Sequence, residues 1–513
     1  MRTVQTARDD VAAGSDAALR RWAWVLPAVC AAIVFYPITG NYFHADDFVD
    51  LYQLRNEDVP HYLLRMYGGH VLIVRNAITL LLHAAFGLDP RGYFAVALLT
   101  HLLSVALVYV VALRLTDSWR LASVGATLWG IAPANEGALG WYAVYGQVVA
   151  TACILLVVAG LVAVRADASQ PMRPRWWALL LIIAGTCFGV GIAAALVMPL
   201  AAWLLLPPVP TRRKAIAWLI AAAVIVMAIY VALRLLEPAL YGERRMELSI
   251  MVAGIPSLVR HADLVAALVA IGMAQWPLGW MATPTSFPTP LHVAALVGSG
   301  AVLIAGWVVA APSVRRRLSG VLLLVLATYG LIAMGRSAFQ AHGSILLAQS
   351  PRYHYAAGAL LGIALVVALH ALAERVDLST GAANRLWAAW AVTFVGMLAF
   401  TPHPIEHFDP DRRETLAALS AIQQRIAAAP PGAPVSIPID PFYSVGTFNI
   451  EFRNLFPGTA ALFVIFYPDN VVDGHRITFT SSDPKTLEAA RGRRGETLID
   501  LPGPGAAAKD SPS

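Results

Sequence analysis

The sequence predicts a mainly α-helical, polytopic membrane protein of about eleven spans, followed by a small extracytoplasmic α/β domain. Three observations predict it. First, the 513-residue chain is 58% hydrophobic and 13% charged, with mean hydropathy +0.64, whereas soluble domains carry roughly 25% charged residues. Second, the apolar residues are gathered into long runs bounded by arginines. Third, charge divides along the chain: residues 1–402 hold 27 Lys+Arg against 18 Asp+Glu, and residues 403–513 hold 10 against 13. The composition excludes an ordinary cytosolic enzyme, a disordered chain and a fibre. Cys30, Cys153 and Cys187 each lie in an apolar run, which excludes a disulfide scaffold. The basic balance belongs to the membrane part, where it reports topology, so no nucleic-acid partner is expected.

The polar segment Met1–Arg21 is too long for the leading region of a signal peptide, and no small-residue cleavage site follows it, so Trp22–Ile38 reads as a retained first span. Further runs lie at about 92–115, 120–135, 141–164, 176–206, 216–236, 291–311, 318–335, 353–373 and 386–402. The run 176–206 is too long for one span: 31 helical residues reach roughly 46 Å against a hydrocarbon core of about 30 Å. Arginines flank both of its ends, so two short spans turning near Gly185, Gly189 and Gly191 are expected. His70–Gly87 carries Arg75, Asn76 and His83 and reads as an amphipathic helix lying at the membrane interface. Ile255–Met281, with Arg260, His261 and Asp263, is expected to lie flat or re-enter.

These elements place the N-terminus in the cytoplasm and the C-terminus outside. The cytoplasmic segments then hold 17 Lys+Arg in 67 residues, and the outer segments before residue 403 hold nine in about twice that length. The extracytoplasmic loops are 39–91, 135–145, 237–290 and 335–352 of a membrane domain spanning residues 1–402. The cytoplasmic connections are short and basic, with no P-loop, dinucleotide-binding or zinc spacing, so any chemistry is expected outside. Residues 403–505 form the α/β domain, with strands expected at Val435–Ile439, Ala461–Phe466, Arg476–Phe479 and Thr497–Asp500, and 506–513 a disordered tail.

The first outer loop begins NYFHADDFVD, with Asp46 and Asp47 adjacent and Asp50 close behind. Neighbouring carboxylates at a membrane surface suit three roles: taking a proton from an acceptor hydroxyl, holding a metal ion, or simply starting a solvated helix. Later come HAAFGLDPRGYFAVALLTH, APANEGALGWYAVYGQVVAT and SPRYHYAAGALLGIAL. In this order, these segments resemble the GT-C superfamily of membrane glycosyltransferases, in particular bacterial relatives of protein O-mannosyltransferases, over about residues 22–375. The resemblance implies transfer of a sugar, with inversion, from a polyprenyl-phosphate carrier to an acceptor hydroxyl at the outer face of the bacterial cytoplasmic membrane.

On that resemblance Asp47, then Asp46, is the base or metal-contacting carboxylate, and Glu136 assists at the acceptor or the metal. Arg352, Tyr353, Arg75 and His44 form the substrate and phosphate side, a guanidinium fork being suited to a lipid phosphate. A divalent metal remains open, as do the sugar and whether the acceptor is protein, glycan or lipid. His101, within a span, is expected to be a buried hydrogen-bonding residue rather than a ligand. One departure stands out. In these relatives the turn between the two short spans often reads Ser-Lys-Glu, whereas here it is GTCFGVGIAAALVMP, without charge. A lipid-linked saccharide transporter and a non-catalytic protein of the same fold are the alternative readings.

Overall fold

The computed structural model describes residues 22–43, 46–87, 89–164, 172–241, 259, 262–275, 284–336, 343–375, 380–400, 424, 425, 427–438, 471, 472 and 475–480. Within them the chain is a helical bundle. Helix α1 (Val25–Phe35) leads through a 3-10 turn, Tyr36–Gly40, to the first polar loop, which holds α2 (Asp46–Asn56) and α3 (Val59–Leu64). A hairpin follows, β1 (Met66–Tyr67) against β2 (His70–Val71). Its two-residue turn is Gly68-Gly69, both at positive φ, as a turn matched to strand twist requires. The strand takes the start of the segment expected to be helical from His70, so α4 runs from Ile73 to Phe86.

Then come α5 (Pro90–Thr116) and α6 (Trp119–Gly130), each begun by a side-chain cap: Asp89 accepts the Arg91 N–H and Ser118 that of Leu121. Helix α6 is shorter than the apolar run 120–135. Pro133 holds Ala132 extended, ending the helix, and Pro133–Asn135 becomes a 3-10 turn before α7 (Glu136–Leu139). After a second such turn, Tyr142–Val144, comes α8 (Tyr145–Ala163). The run 176–206 is indeed two helices, α9 (Pro174–Cys187) and α10 (Gly189–Leu205), broken at an extended Phe188. The fold-back is tight: a Cβ on Gly191 would meet the Ala184 carbonyl oxygen at 1.9 Å, so only glycine fits.

Helix α11 (Arg212–Tyr241) follows, then α12 (Ala262–Gln275), α13 (Pro290–Val309), α14 (Pro312–Arg336), the short α15 (Ser344–Ala348), a 3-10 turn at Pro351–His354, α16 (Tyr355–Ala373) and α17 (Thr380–Phe400). Among the described residues, six segments are long and apolar enough to cross a membrane: α5, Tyr142–Ala163, Arg212–Glu237, α13, α14 and Pro351–Ala373. Tyr142–Ala163 and Pro351–Ala373 are 78% buried and form the bundle's centre, whereas Arg212–Glu237 and α13 are 33% and 28% buried. The outer helices present Val224, Val297 and Ile304 outward, the surface expected of helices facing lipid.

His101 of α5 is fully buried, its Nδ1 2.9 Å from the Tyr355 hydroxyl and its Nε2 2.8 Å from the Gly130 carbonyl oxygen. This is the structural role expected of it. Beyond the bundle, β3 (Val435–Pro438) pairs in parallel with β5 (His475–Thr480), which pairs antiparallel with β4 (Val471–Val472). The strands expected at 461–466 and 497–500, and the tail 506–513, lie outside the described residues.

Candidate active site

Three polar loops, far apart in sequence, meet at one end of the bundle. The first supplies α2. Asp46 and Asp47 both lie in its first turn, where the helix dipole favours negative charge. Successive helical residues are about 100° apart, and the two carboxylates diverge accordingly. Asp46 is half-buried and lines a narrow polar cleft together with Asp50, Gln53, Arg65, Tyr67 and Arg75. Asp47 is 1% exposed and points into the protein, where its Oδ1 accepts the backbone N–H of Ala143 at 2.5 Å.

Arg75, at the start of α4, is buried and forms an ion pair with Asp50. Its Nη1 also donates to Asn76 Oδ1 at 2.8 Å and its Nη2 to the Ala143 carbonyl oxygen at 3.2 Å. Asp50 additionally accepts from the Tyr62 hydroxyl at 3.3 Å. Asp47 and Arg75 therefore hold the two sides of a single residue, Ala143, and clamp the second polar loop to the first.

The cleft holds two carboxyls: Asp50 pairs with Arg75, and Asp46 accepts from the Tyr67 hydroxyl. Burial makes Asp46 a weaker acid, raising its pKa above the ordinary value of an aspartate. The Tyr67 hydroxyl, donating at 3.0 Å, and the positive charges of Arg352, Arg75 and Arg336 oppose that rise. The same arginines surround His70, whose ring stacks on Phe188 with centroids 4.2 Å apart and planes 21° from parallel. Burial, and then Arg336, Arg352, Arg234 and Arg75, push His70 down to about 3, so it stays neutral. Phe188 occupies the turn between α9 and α10, so this turn brings an aromatic stack, rather than a Lys-Glu pair, to the cationic end of the site.

The last loop supplies the cations. The Arg352 guanidinium lies 4.7 Å from the centroid of the Trp141 ring and 5.2 Å from that of Tyr353. Arg336, at the end of α14, lies 5.6 Å from the same Tyr353 ring. Two guanidinium groups thus lie against one phenol ring, held there by cation–π attraction. The Arg352 carbonyl accepts Gln147 Nε2 at 2.6 Å, tying this loop to the second.

Glu136 stands apart electrostatically. Its four-residue helix packs beneath the Pro351–His354 turn so closely that a Cβ on Gly137 would be 2.5 Å from the Arg352 backbone nitrogen. The Glu136 carboxyl is buried, its Oε1 has no hydrogen-bond partner, and burial alone pushes it up to about 8. At neutral pH it is a protonated acid with no charged neighbour contributing.

Of the residues expected at the site, Asp46, Asp47, Arg75, Arg352 and Tyr353 converge; His44 lies outside the described residues. The expected first choice of base, Asp47, is engaged by the backbone, and Asp46 lines the cleft instead. Tyr67, Trp141 and Arg336 are additions. Arg336 had a sequence signal as one of few outer arginines, and Trp141 stands five residues after Glu136. Tyr67 had none, since its position depends on the Gly68-Gly69 turn.

For a divalent metal the donors fit poorly. Asp50 is taken by Arg75 and Tyr62, Asp47 by an amide, and no three His, Cys, Asp or Glu side chains converge among the described residues. No family model, curated protein or solved structure matches the chain.

Proposed function

We propose that this chain is an integral-membrane glycosyltransferase that moves a sugar from a polyprenyl-phosphate carrier to an acceptor hydroxyl at the extracytoplasmic face. The observation that carries the reading is the placing of one cleft carboxyl, Asp46, within the electrostatic reach of Arg352 and Arg336. A hydroxyl nucleophile needs a base and a departing lipid phosphate needs positive charge, and Asp46 with the arginines that act on it offers both.

In this mechanism the Asp46 carboxylate takes the proton of the acceptor hydroxyl as its oxygen attacks the anomeric carbon. The bond from that carbon to the phosphate oxygen breaks on the opposite face. Its electron pair leaves with the phosphate, whose charge Arg352 and Arg336 stabilise, and the configuration inverts. Tyr67 orients Asp46, Asp47 and Arg75 fix the second loop, and the carrier's apolar tail lies among the outer helices. No step is routed through a metal.

The reading takes the apolar runs between Trp22 and residue 402, with 176–206 as two, as eleven spans of a bacterial cytoplasmic membrane, with the N-terminus inside and residues 403–505 outside, in line with the arginine asymmetry of the loops. Its test is Asp46→Asn in the full chain. Transfer is expected to be lost while the protein inserts and melts as the wild type does, with the lipid-linked sugar accumulating in cells. Full transfer by both Asp46→Asn and Arg352→Gln would refute the enzyme and favour a non-catalytic membrane protein.

A further inference from the structure

At the end of the bundle opposite the cleft, the turn between α10 and α11 meets the start of α14. Arg336 and Arg316 lie at opposite ends of α14, roughly 30 Å apart at 1.5 Å per residue, so this region is separate from the candidate active site. Gly320 brings the helices together there: its missing Cβ would lie 3.1 Å from Leu204 Cβ and 3.1 Å from Leu205 Cγ. That approach sets Arg316 over the end of α10, where its Nη2 donates to the Leu206 carbonyl oxygen at 3.1 Å. Arg212, 8% exposed, lies with its guanidinium 3.6 Å from the Trp203 ring centroid and donates to the Trp203 carbonyl. Arg317 stands beside them on α14.

The charge here is unbalanced. Segments 207–215 and 311–319 contain six Lys or Arg and no Asp or Glu. Neither α11 nor α14 has an acidic residue in its first turn, where a helix already presents positive potential. Arg316 repels both Arg212 and Arg317. The Nε atoms of Arg212, Arg316 and Arg317 are all buried without a hydrogen-bond partner among the described residues. Arg315 differs: its fork is taken by the carbonyls of Trp307, Val308 and Ala310 at the end of α13. Capping carbonyls accounts for Arg315 but leaves donors unused on the other three. Buried donors of one sign at two helix N-termini call for an anion with several acceptor oxygens.

We propose that Arg212, Arg316 and Arg317 bind a phosphate group, carried on the headgroup of an anionic phospholipid or free as inorganic phosphate. Arg316 and Arg317 face it from α14 and Arg212 from α11, so the bound phosphate joins the two helices across their connection.

The test uses the full chain in lipid nanodiscs containing phosphatidylglycerol or phosphatidylcholine, with retained lipid counted by native mass spectrometry after washing. The wild type is expected to retain phosphatidylglycerol over phosphatidylcholine. Arg316→Gln with Arg317→Gln should lower phosphatidylglycerol retention about tenfold or more, as two guanidinium charges near an anionic headgroup predict. The exposed pair Arg213→Gln with Lys214→Gln, an equal change in charge, should lower it less than about twofold. Arg317→Gln alone, which disturbs no capping bond of Arg316, should give an intermediate loss in a chain that melts normally in phosphatidylcholine. In phosphatidylcholine discs, a rise in melting temperature with millimolar inorganic phosphate, abolished in the Arg316/Arg317 variant, would identify free phosphate as the source. Equal losses from the buried and exposed pairs would overturn the proposal. So would a wild type that neither prefers phosphatidylglycerol nor responds to phosphate.

Discussion

Arg75 separates two accounts of the cleft: a phosphate-binding residue or a strut for the loops. Its side chain and that of Asp50 are 3% and 9% exposed, and each is the other's charge partner. Arg75→Ala leaves the Asp50 carboxylate buried with the Tyr62 hydroxyl, 3.3 Å away, as its remaining donor, and strips the Ala143 carbonyl of Arg75 Nη2. Removing one member of a buried pair costs about 3–5 kcal/mol. At roughly 2 °C per kcal/mol for a long chain, the melting temperature should fall by about 5–10 °C. Cys30, Cys153 and Cys187 are free and buried, so a thiol-reactive fluorophore reports unfolding directly. Replacing both partners with apolar side chains, Arg75→Met with Asp50→Leu, should recover at least half of the loss, since no buried charge is then left unpaired. A strut also predicts that this double variant keeps measurable sugar transfer, whereas a phosphate ligand predicts none. Arg75→Ala melting within about 2 °C of wild type would refute the assigned cost. A double variant as unstable as Arg75→Ala would refute the reasoning about charge.

Three further outcomes follow from the same geometry. Tyr67→Phe removes a hydrogen bond that holds down the pKa of Asp46, so the acidic limb of the pH–rate profile for transfer should move to higher pH; an unmoved limb would separate Asp46 from the base. Glu136 is pushed up from its ordinary 4.5 to about 8 by burial, so the folded chain keeps a proton that the unfolded chain releases. The stability from this group is full below pH 4.5 and lost as pH rises through 8, amounting to roughly 2 kcal/mol between about pH 6 and pH 8. Glu136→Gln should flatten that part of the stability curve, and an unchanged slope would count against a protonated Glu136. Gly137→Ala places a Cβ 2.5 Å from the Arg352 backbone nitrogen and 2.8 Å from Pro351 Cβ. Displacing the Pro351–His354 turn should raise the KM for the lipid-linked donor by about tenfold, as loss of a well-placed charged contact does, whereas a normal KM would show that the turn yields elsewhere.

The helices were legible because the membrane imposes its length on the sequence. The arithmetic of the 176–206 run required two helices, and the extended Phe188 divides them within the expected glycine-rich stretch. That Asp46, Asp47, Arg75 and Arg352 belong to one end of the bundle was legible from their order along the chain. Their division of labour was not. Adjacent aspartates look alike in a sequence, and only the direction of each residue on the first turn of α2 sends one to the cleft and the other to Ala143. Arg75 likewise reads as an available cation until Asp50 is seen beside it, because an ion pair across 25 residues has no local pattern. Tyr67 was hidden for a related reason: it reaches Asp46 through the Gly68-Gly69 turn, which has no signal of a site.

The clamp on Ala143 also sets an order of construction. Asp47 and Ala143 are 96 residues apart, so the first and second loops can join while most of the bundle is still unmade. Gln147 waits for its partner Arg352, 205 residues later. At about 5–20 residues per second, that interval lasts roughly 10–40 s on the ribosome. For most of it the nascent chain carries Asp46 with Arg75 but without Arg336 and Arg352. A chain stopped after α13 would thus be joined at Ala143 and would lack two of the three arginines that act on Asp46.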